Sequence, residues 1–292
     1  MLPIRPTRPV APDQSTRPAP AGGFVPTVVA AACVVLALLP LLAQADTGNA
    51  TRARIDMQYG VEHGSYQDRI DGRTALTQLP WLLRYQQGRM TLQAQLAWVS
   101  WRRRDTTDAA AAASGELNAA SGWGDAWYKA SWELQEVDID RTGYDLTLKV
   151  KGANGDAGRS LGSGRRDVAL QVEAMRGWGR TTVFGHAGLR GAGSASRVGA
   201  SSSAAAADTG TAQGTRRRAY GEIGLQHPGP AGWVSGAFYD YQQPAGSLGP
   251  LSELTAFTAL TTGATRWELH AARGFNQASA RFQVGLSVRN RF

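Results

Sequence analysis

The stretch that most limits what this chain can fold into is its last, Ser279 to Phe292, reading SARFQVGLSVRNRF. Successive side chains alternate across an extended strand. Phe282, Val284, Leu286, Val288 and Phe292 therefore share one side, while Arg281, Gln283, Ser287, Arg289 and Arg291 share the other. A strand with one apolar and one polar face, closed by an aromatic residue, suits a transmembrane barrel that shows its apolar side chains to lipid and its polar ones to the lumen. Soluble enzymes rarely end this way.

The same period of two recurs upstream. Arg54 to Val61 alternates, with Ile55, Met57, Tyr59 and Val61 opposite Asp56 and Gln58. A polar loop to Gln78 separates it from Leu79 to Gln86, and Gln87-Gly88 turns that strand into Met90 to Trp101 as a hairpin. Gly124 to Leu134, the strand from Tyr144, and the one marked by Val168, Leu170 and Val172 follow. Thr181 to Arg190 is ambiguous because Gly185 and Gly188 interrupt it. Ala219 to Gln226, Trp233 to Tyr241, Leu251 to Leu260 and Thr265 to Arg273 precede the closing strand, which makes about twelve.

The connections are generally long and short in turn, although the eleventh is short where a long one is expected. Outer-membrane barrels combine an even strand number with long external loops and short periplasmic turns. The longest loop, Gly191 to Thr215, is Ala, Ser and Gly and has almost nothing to bury. The expected fold class is all-β, a transmembrane antiparallel barrel.

Composition then excludes rivals. Mean hydropathy is slightly negative, against a helical membrane protein, which needs several apolar runs of about 20 residues. The net charge of +8 is not gathered on any nucleic-acid-binding module. Residues 1–45 read as a cleavable export signal, with Arg5, Arg8 and Arg17 before the apolar run Val28 to Leu42, then Ala43-Gln44-Ala45. The barrel domain is then 46–292. Cys33, the sole cysteine, falls in the signal, so the exported chain has no thiol for a disulfide, a metal site or catalysis.

Charged positions on the strands mark candidate sites. Asp125, Lys129, Glu133, Asp145, Lys149, Lys151, Asp167 and Glu173 fall on lumen-facing positions of three neighbouring strands. They read as acid and base strips alternating from strand to strand, either salt-bridging the wall or forming a polar constriction that selects solutes. Arg102, Arg103 and Arg104, Arg165 and Arg166, and Arg216, Arg217 and Arg218 map to the external rim. There they either hold lipopolysaccharide phosphates or simply keep the rim solvated. Trp98, Trp101 and Trp123 are expected in an outer aromatic girdle, and Tyr144, Trp233 and Trp267 in an inner one.

His270 shares a face with Glu268 and Arg266, which points it into the lumen and away from lipid chemistry. No catalytic set, metal site or cofactor is expected, and the Gly152 to Gly164 stretch lacks the Gly-Lys-Ser/Thr of a phosphate loop.

Several segments together resemble a proteobacterial outer-membrane family catalogued as transporters or as "meta-pathway of phenol degradation" proteins. They are Leu79-Pro80-Trp81-Leu82-Leu83-Arg84-Tyr85, Ser121-Gly122-Trp123-Gly124-Asp125, Leu161-Gly162-Ser163-Gly164 with Asp167, Arg273-Gly274-Phe275 and Arg291-Phe292. Gly152-Ala153 stands where that pattern has a proline-containing turn, and Asn290 where it has an aromatic residue. The resemblance implies an outer-membrane barrel that passes small or hydrophobic compounds, and it supplies no catalytic residues. The partners expected are outer-membrane lipid and lipopolysaccharide, the barrel-insertion machinery that reads Phe292, and a small-molecule solute; nucleic acid is not. The alternatives are a structural or surface-interaction barrel and a lipid-modifying enzyme.

Overall fold

A computed structural model describes residues 53–67, 73–104, 119–138, 141–195, 217–244, 249–276 and 279–292. The segments 1–45, Arg216 and most of the stretch from Gly191 to Thr215 lie outside the described residues. Thirteen β-segments are present among the described residues: β1 (Arg54–Gln67), β2 (Arg73–Gln87), β3 (Met90–Arg104), β4 (Ala119–Trp123), β5 (Trp127–Gln135), β6 (Gly143–Lys151) and β7 (Arg165–Trp178), followed by β8 (Thr181–Ala195), β9 (Arg217–Pro228), β10 (Trp233–Gln242), β11 (Leu251–Thr262), β12 (Thr265–Gly274) and β13 (Ala280–Arg291). Each pairs antiparallel with its chain neighbours, except that β4 and β5 both lie along β3 as two halves of one strand. The last strand pairs with the first, from Asp56↔Arg291 to Tyr66↔Ala280, so the sheet closes into a twelve-stranded barrel with no free edge. The end residue takes part, since the Phe292 N–H donates to the Ile55 carbonyl at 2.8 Å.

Polarity is inverted relative to a water-soluble domain. The largest fully buried side chains are Gln171, Thr147, Asp56 and Ser279, whereas Trp178, Ile223, Leu189 and Leu269 are 82%, 64%, 56% and 55% exposed. Only a chain whose outside is surrounded by hydrocarbon and whose inside is polar satisfies both groups.

Strands run past the limits that hydropathy suggests. The polar stretch expected to loop as far as Gln78 instead extends β1 to Gln67 and starts β2 at Arg73. Likewise β8 continues to Ala195, into the stretch expected as loop. Polarity there marks where the outer face leaves hydrocarbon, and the backbone ladder continues because main-chain hydrogen bonds do not depend on side-chain polarity.

Three hairpins, at Gly88-Arg89, Gly179-Arg180 and Gly263-Ala264, have two-residue turns whose first residue is a glycine at φ 51°, 60° and 60°. This is the type II′ arrangement, which matches strand twist and which glycine adopts without strain. These tight turns share one end with 136–142 and 229–232, the periplasmic end by the loop rule. The connections 68–72, 105–118, 152–164, 196–216, 243–250 and 275–279 share the other, external end.

Candidate functional site: the lumen wall

Covalent alternation decides which side chains enter the lumen, and strand register decides which of them meet. From β5 to β11 the register aligns Glu133↔Asp145↔Glu173↔His186↔Glu222↔Asp240↔Glu253. Six carboxylates and one imidazole thus form a continuous row climbing the wall from the periplasmic to the external end. Four residues nearer the outside on each strand, about 13 Å away at strand rise, runs a second row. It reads Arg291↔Asp56↔Arg84↔Gln93↔Lys129↔Lys149↔Ala169↔Arg190↔Arg218 and is dominated by cations.

This corrects the expectation that acid and base strips alternate on neighbouring strands. Register places Glu133 beside Asp145 and Lys129 beside Lys149, so like lies beside like and ion pairs form diagonally between the rows. The eight predicted lumen residues are accordingly divided. The Lys129 ammonium donates to the Glu173 carboxylate at 2.7 Å, passing over β6, and Thr147 donates to the same oxygen at 2.7 Å. Lys151 lies 2.9 Å from Asp167 and 3.5 Å from Asp125, and Arg190 also pairs with Asp167. Glu133, Asp145 and Lys149 make no ion pair among the described residues.

The gap between β4 and β5 is filled by the external connection 152–164. Asp125 accepts from the Gly155 N–H at 3.0 Å, the Ser163 N–H at 2.8 Å and the Ser163 hydroxyl at 3.0 Å. Asn154 supplies the missing ladder partner, accepting from the Ala126 N–H at 2.9 Å while its amide reaches the Gly124 carbonyl at 3.3 Å. The connection thereby folds against the inside of the wall, where Leu161 joins Trp101, Ala120, Leu76 and Val99 in an apolar cluster. Trp101 is therefore no girdle residue. It points inward and its indole N–H donates to the Arg159 carbonyl at 3.0 Å. Trp98 and Trp123 do face outward, edge to face at 5.4 Å, and Tyr144, Trp233 and Trp267 are exposed near the periplasmic end.

Alternation also splits the arginine runs. Arg102, Arg166 and Arg217 are exposed on the outward side, whereas Arg103, Arg165 and Arg218 fall on the lumen side. His270 faces the lumen, as expected, and lies over Gly285, where an added Cβ would come within 2.4 Å of its ring.

Two half-open lumenal cavities lie among the described residues. The upper, of about 480 Å³, is lined by residues including Gln93, Trp127, Lys149, Tyr220, Glu222 and Asp240. The lower, of about 380 Å³, includes Arg84, Glu133, Asp145 and Met175. They meet at His186 and Glu222, which line both. Sequence reading missed His186, Arg190 and Glu222 because the glycines of β8 and β9 obscure the two-residue period, and it did not single out Asp240 on β10. Counting parity outward from Leu189, Ile223 and Tyr239 would have placed all four.

Fold and wall together define a transmembrane β-barrel of the bacterial outer membrane. No protein-family model and no curated protein matches the sequence. Among solved structures, an outer-membrane channel from Pseudomonas putida F1 superposes with a TM-score of 0.59 at 14% identity, covering 85% of this chain and 97% of that one. The KdgM porin (TM-score 0.48, 8% identity, 82% and 99% covered) and the translocator domain of the autotransporter NalP from Neisseria meningitidis (0.46, 12%, 94% and 100%) are more distant. At such identities the shared property is the fold.

Proposed function

We propose that the protein is a passive outer-membrane channel for small molecules. One observation carries this reading: a polar wall encloses two cavities that meet at shared residues along the barrel, inside a belt of lipid-facing apolar side chains. The likeness to an outer-membrane channel from Pseudomonas putida F1 supports it, as do the short motifs that resemble those of the phenol-degradation group. A wall so rich in charge favours the water-soluble end of that group's solutes. The export signal 1–45, the barrel domain 46–292 and recognition of Phe292 by the insertion machinery belong to the same reading. The purified protein in a planar bilayer should give stepwise conductance; absence of both conductance and solute uptake by vesicles rejects the channel.

A second reading rests on the three outward arginines, Arg102, Arg166 and Arg217, which stand at the external ends of their strands. Their guanidinium groups suit lipopolysaccharide phosphates. Replacing all three with Gln should reduce the lipopolysaccharide that copurifies, and unchanged retention rejects this role.

A further inference from the structure

Most lumenal charges near the upper cavity are already neutralised by neighbours: Lys129 by Glu173, Lys151 by Asp125 and Asp167, and Arg190 by Asp167. Three are not. Lys149 makes no ion pair among the described residues; its ammonium rests 5.4 Å from the centre of the Tyr220 ring. Glu222 and Asp240, which line the same cavity, stand side by side on β9 and β10. Glu222 shares a side-chain hydrogen bond with Asp240 and lies 3.9 Å from the His186 ring, and neither carboxyl is ion-paired to a Lys or Arg among the described residues.

We propose that this cavity is a binding station for small zwitterions, with Lys149 taking the anionic group and Glu222 and Asp240 the cationic one. The proposal rests on the channel reading and names its solute class. A cavity of about 480 Å³ lies within the range of about 300–1,000 Å³ usual for small-ligand sites. A solute of single charge is attracted by Lys149 and repelled by the carboxyl pair, or the reverse, whereas a dipolar one satisfies both, so the two unmatched groups discriminate by charge pattern. Two further features suit an organic body between the charges. The Arg190 guanidinium lies over the Trp127 indole at 5.0 Å, and the Tyr220 hydroxyl donates to Gln171 at 2.9 Å. The amides of Gln93, Gln95 and Gln242 complete the lining.

The test uses the full exported protein in planar bilayers, with ion-current interruptions recorded for L-phenylalanine, 3-phenylpropanoate and 2-phenylethylammonium, which share a ring and differ in charge pattern. Phenylalanine should interrupt the current at about tenfold lower concentration than either analogue, the gain of one charge-assisted contact. Lys149→Met should bring phenylalanine down to the level of phenylethylammonium. Glu222→Gln combined with Asp240→Asn should raise phenylpropanoate to the level of phenylalanine. The two variants remove charges of opposite sign, and heat-dependent mobility on gels confirms that each is folded. A conducting pore that treats the three compounds alike, or that favours a singly charged one, overturns the zwitterion site and leaves the channel intact; a barrel without conductance overturns both.

Discussion

Asp125 carries more structure than any other single side chain of the wall. Its carboxylate accepts two main-chain N–H groups and a hydroxyl from the connection 152–164 and lies 3.5 Å from Lys151. Replacing it with alanine leaves those donors without an acceptor, so Asp125→Ala should cost about 3 kcal/mol in urea unfolding from lipid vesicles. It should also release the connection, so that added trypsin cuts after the exposed Arg159 faster than in the native protein; equal cleavage rates would show that other contacts hold it. At this scale the sequence was half legible. The Ser121 to Asp125 and Leu161 to Gly164 segments stood out as motifs, yet nothing in either indicates that they touch. Gly162 explains their form, because a Cβ there would lie 2.5 Å from an Asp125 oxygen and 2.6 Å from the Gly155 Cα. Trp101 was misplaced for a simpler reason: it lies three residues from Trp98, an odd spacing, and so cannot share its face.

Among the elements, β8 to β11 show how lumen width is set. Phe184, Phe238 and Phe257 all face inward, and each leans over a glycine on an adjacent strand. A Cβ at Gly224 would meet the Phe238 Cβ at 2.6 Å and the Phe184 Cζ at 2.7 Å, and one at Gly236 would meet the Phe257 ring at 2.7 Å. Rings laid over glycines protect the exposed backbone and stay close to the wall. Gly224→Val should therefore push two rings toward the lumen axis, lowering single-channel conductance and costing about 1–3 kcal/mol through overpacking. Unchanged conductance would mean the rings move along the wall instead. The diagonal pairing between rows makes a second prediction at this scale. Lys129→Met removes the cation facing Glu173, and the reversal potential across a salt gradient should shift toward cation selectivity. A shift toward anions would refute the assigned roles.

For the molecule as a whole, the governing fact is that one closed sheet separates hydrocarbon from a polar interior. Leu269 is 55% exposed on β12, in the outer belt, and Gln95 lines the upper cavity. Leu269→Lys should destabilise the barrel by about 2–4 kcal/mol, as for a charge near the bilayer midplane, whereas Gln95→Lys should change stability little. Urea titrations of vesicle-inserted protein distinguish these outcomes, and similar losses for both would argue against the assignment of inside and outside.

What this sequence determined by itself is the side on which each strand residue lies, because alternation follows from covalent geometry and needs no partner strand. A strand number near twelve and the polar identity of the lumen follow from it, while the count itself was settled by closure. Only the tertiary structure decided the neighbours. Closure sets one register for every pair of strands at once, and that shared constraint aligned six carboxylates and one imidazole on seven successive strands and brought Lys149, Glu222 and Asp240 to one cavity. No local pattern encodes such a meeting, since the residues concerned lie up to 91 positions apart along the chain, from Lys149 to Asp240.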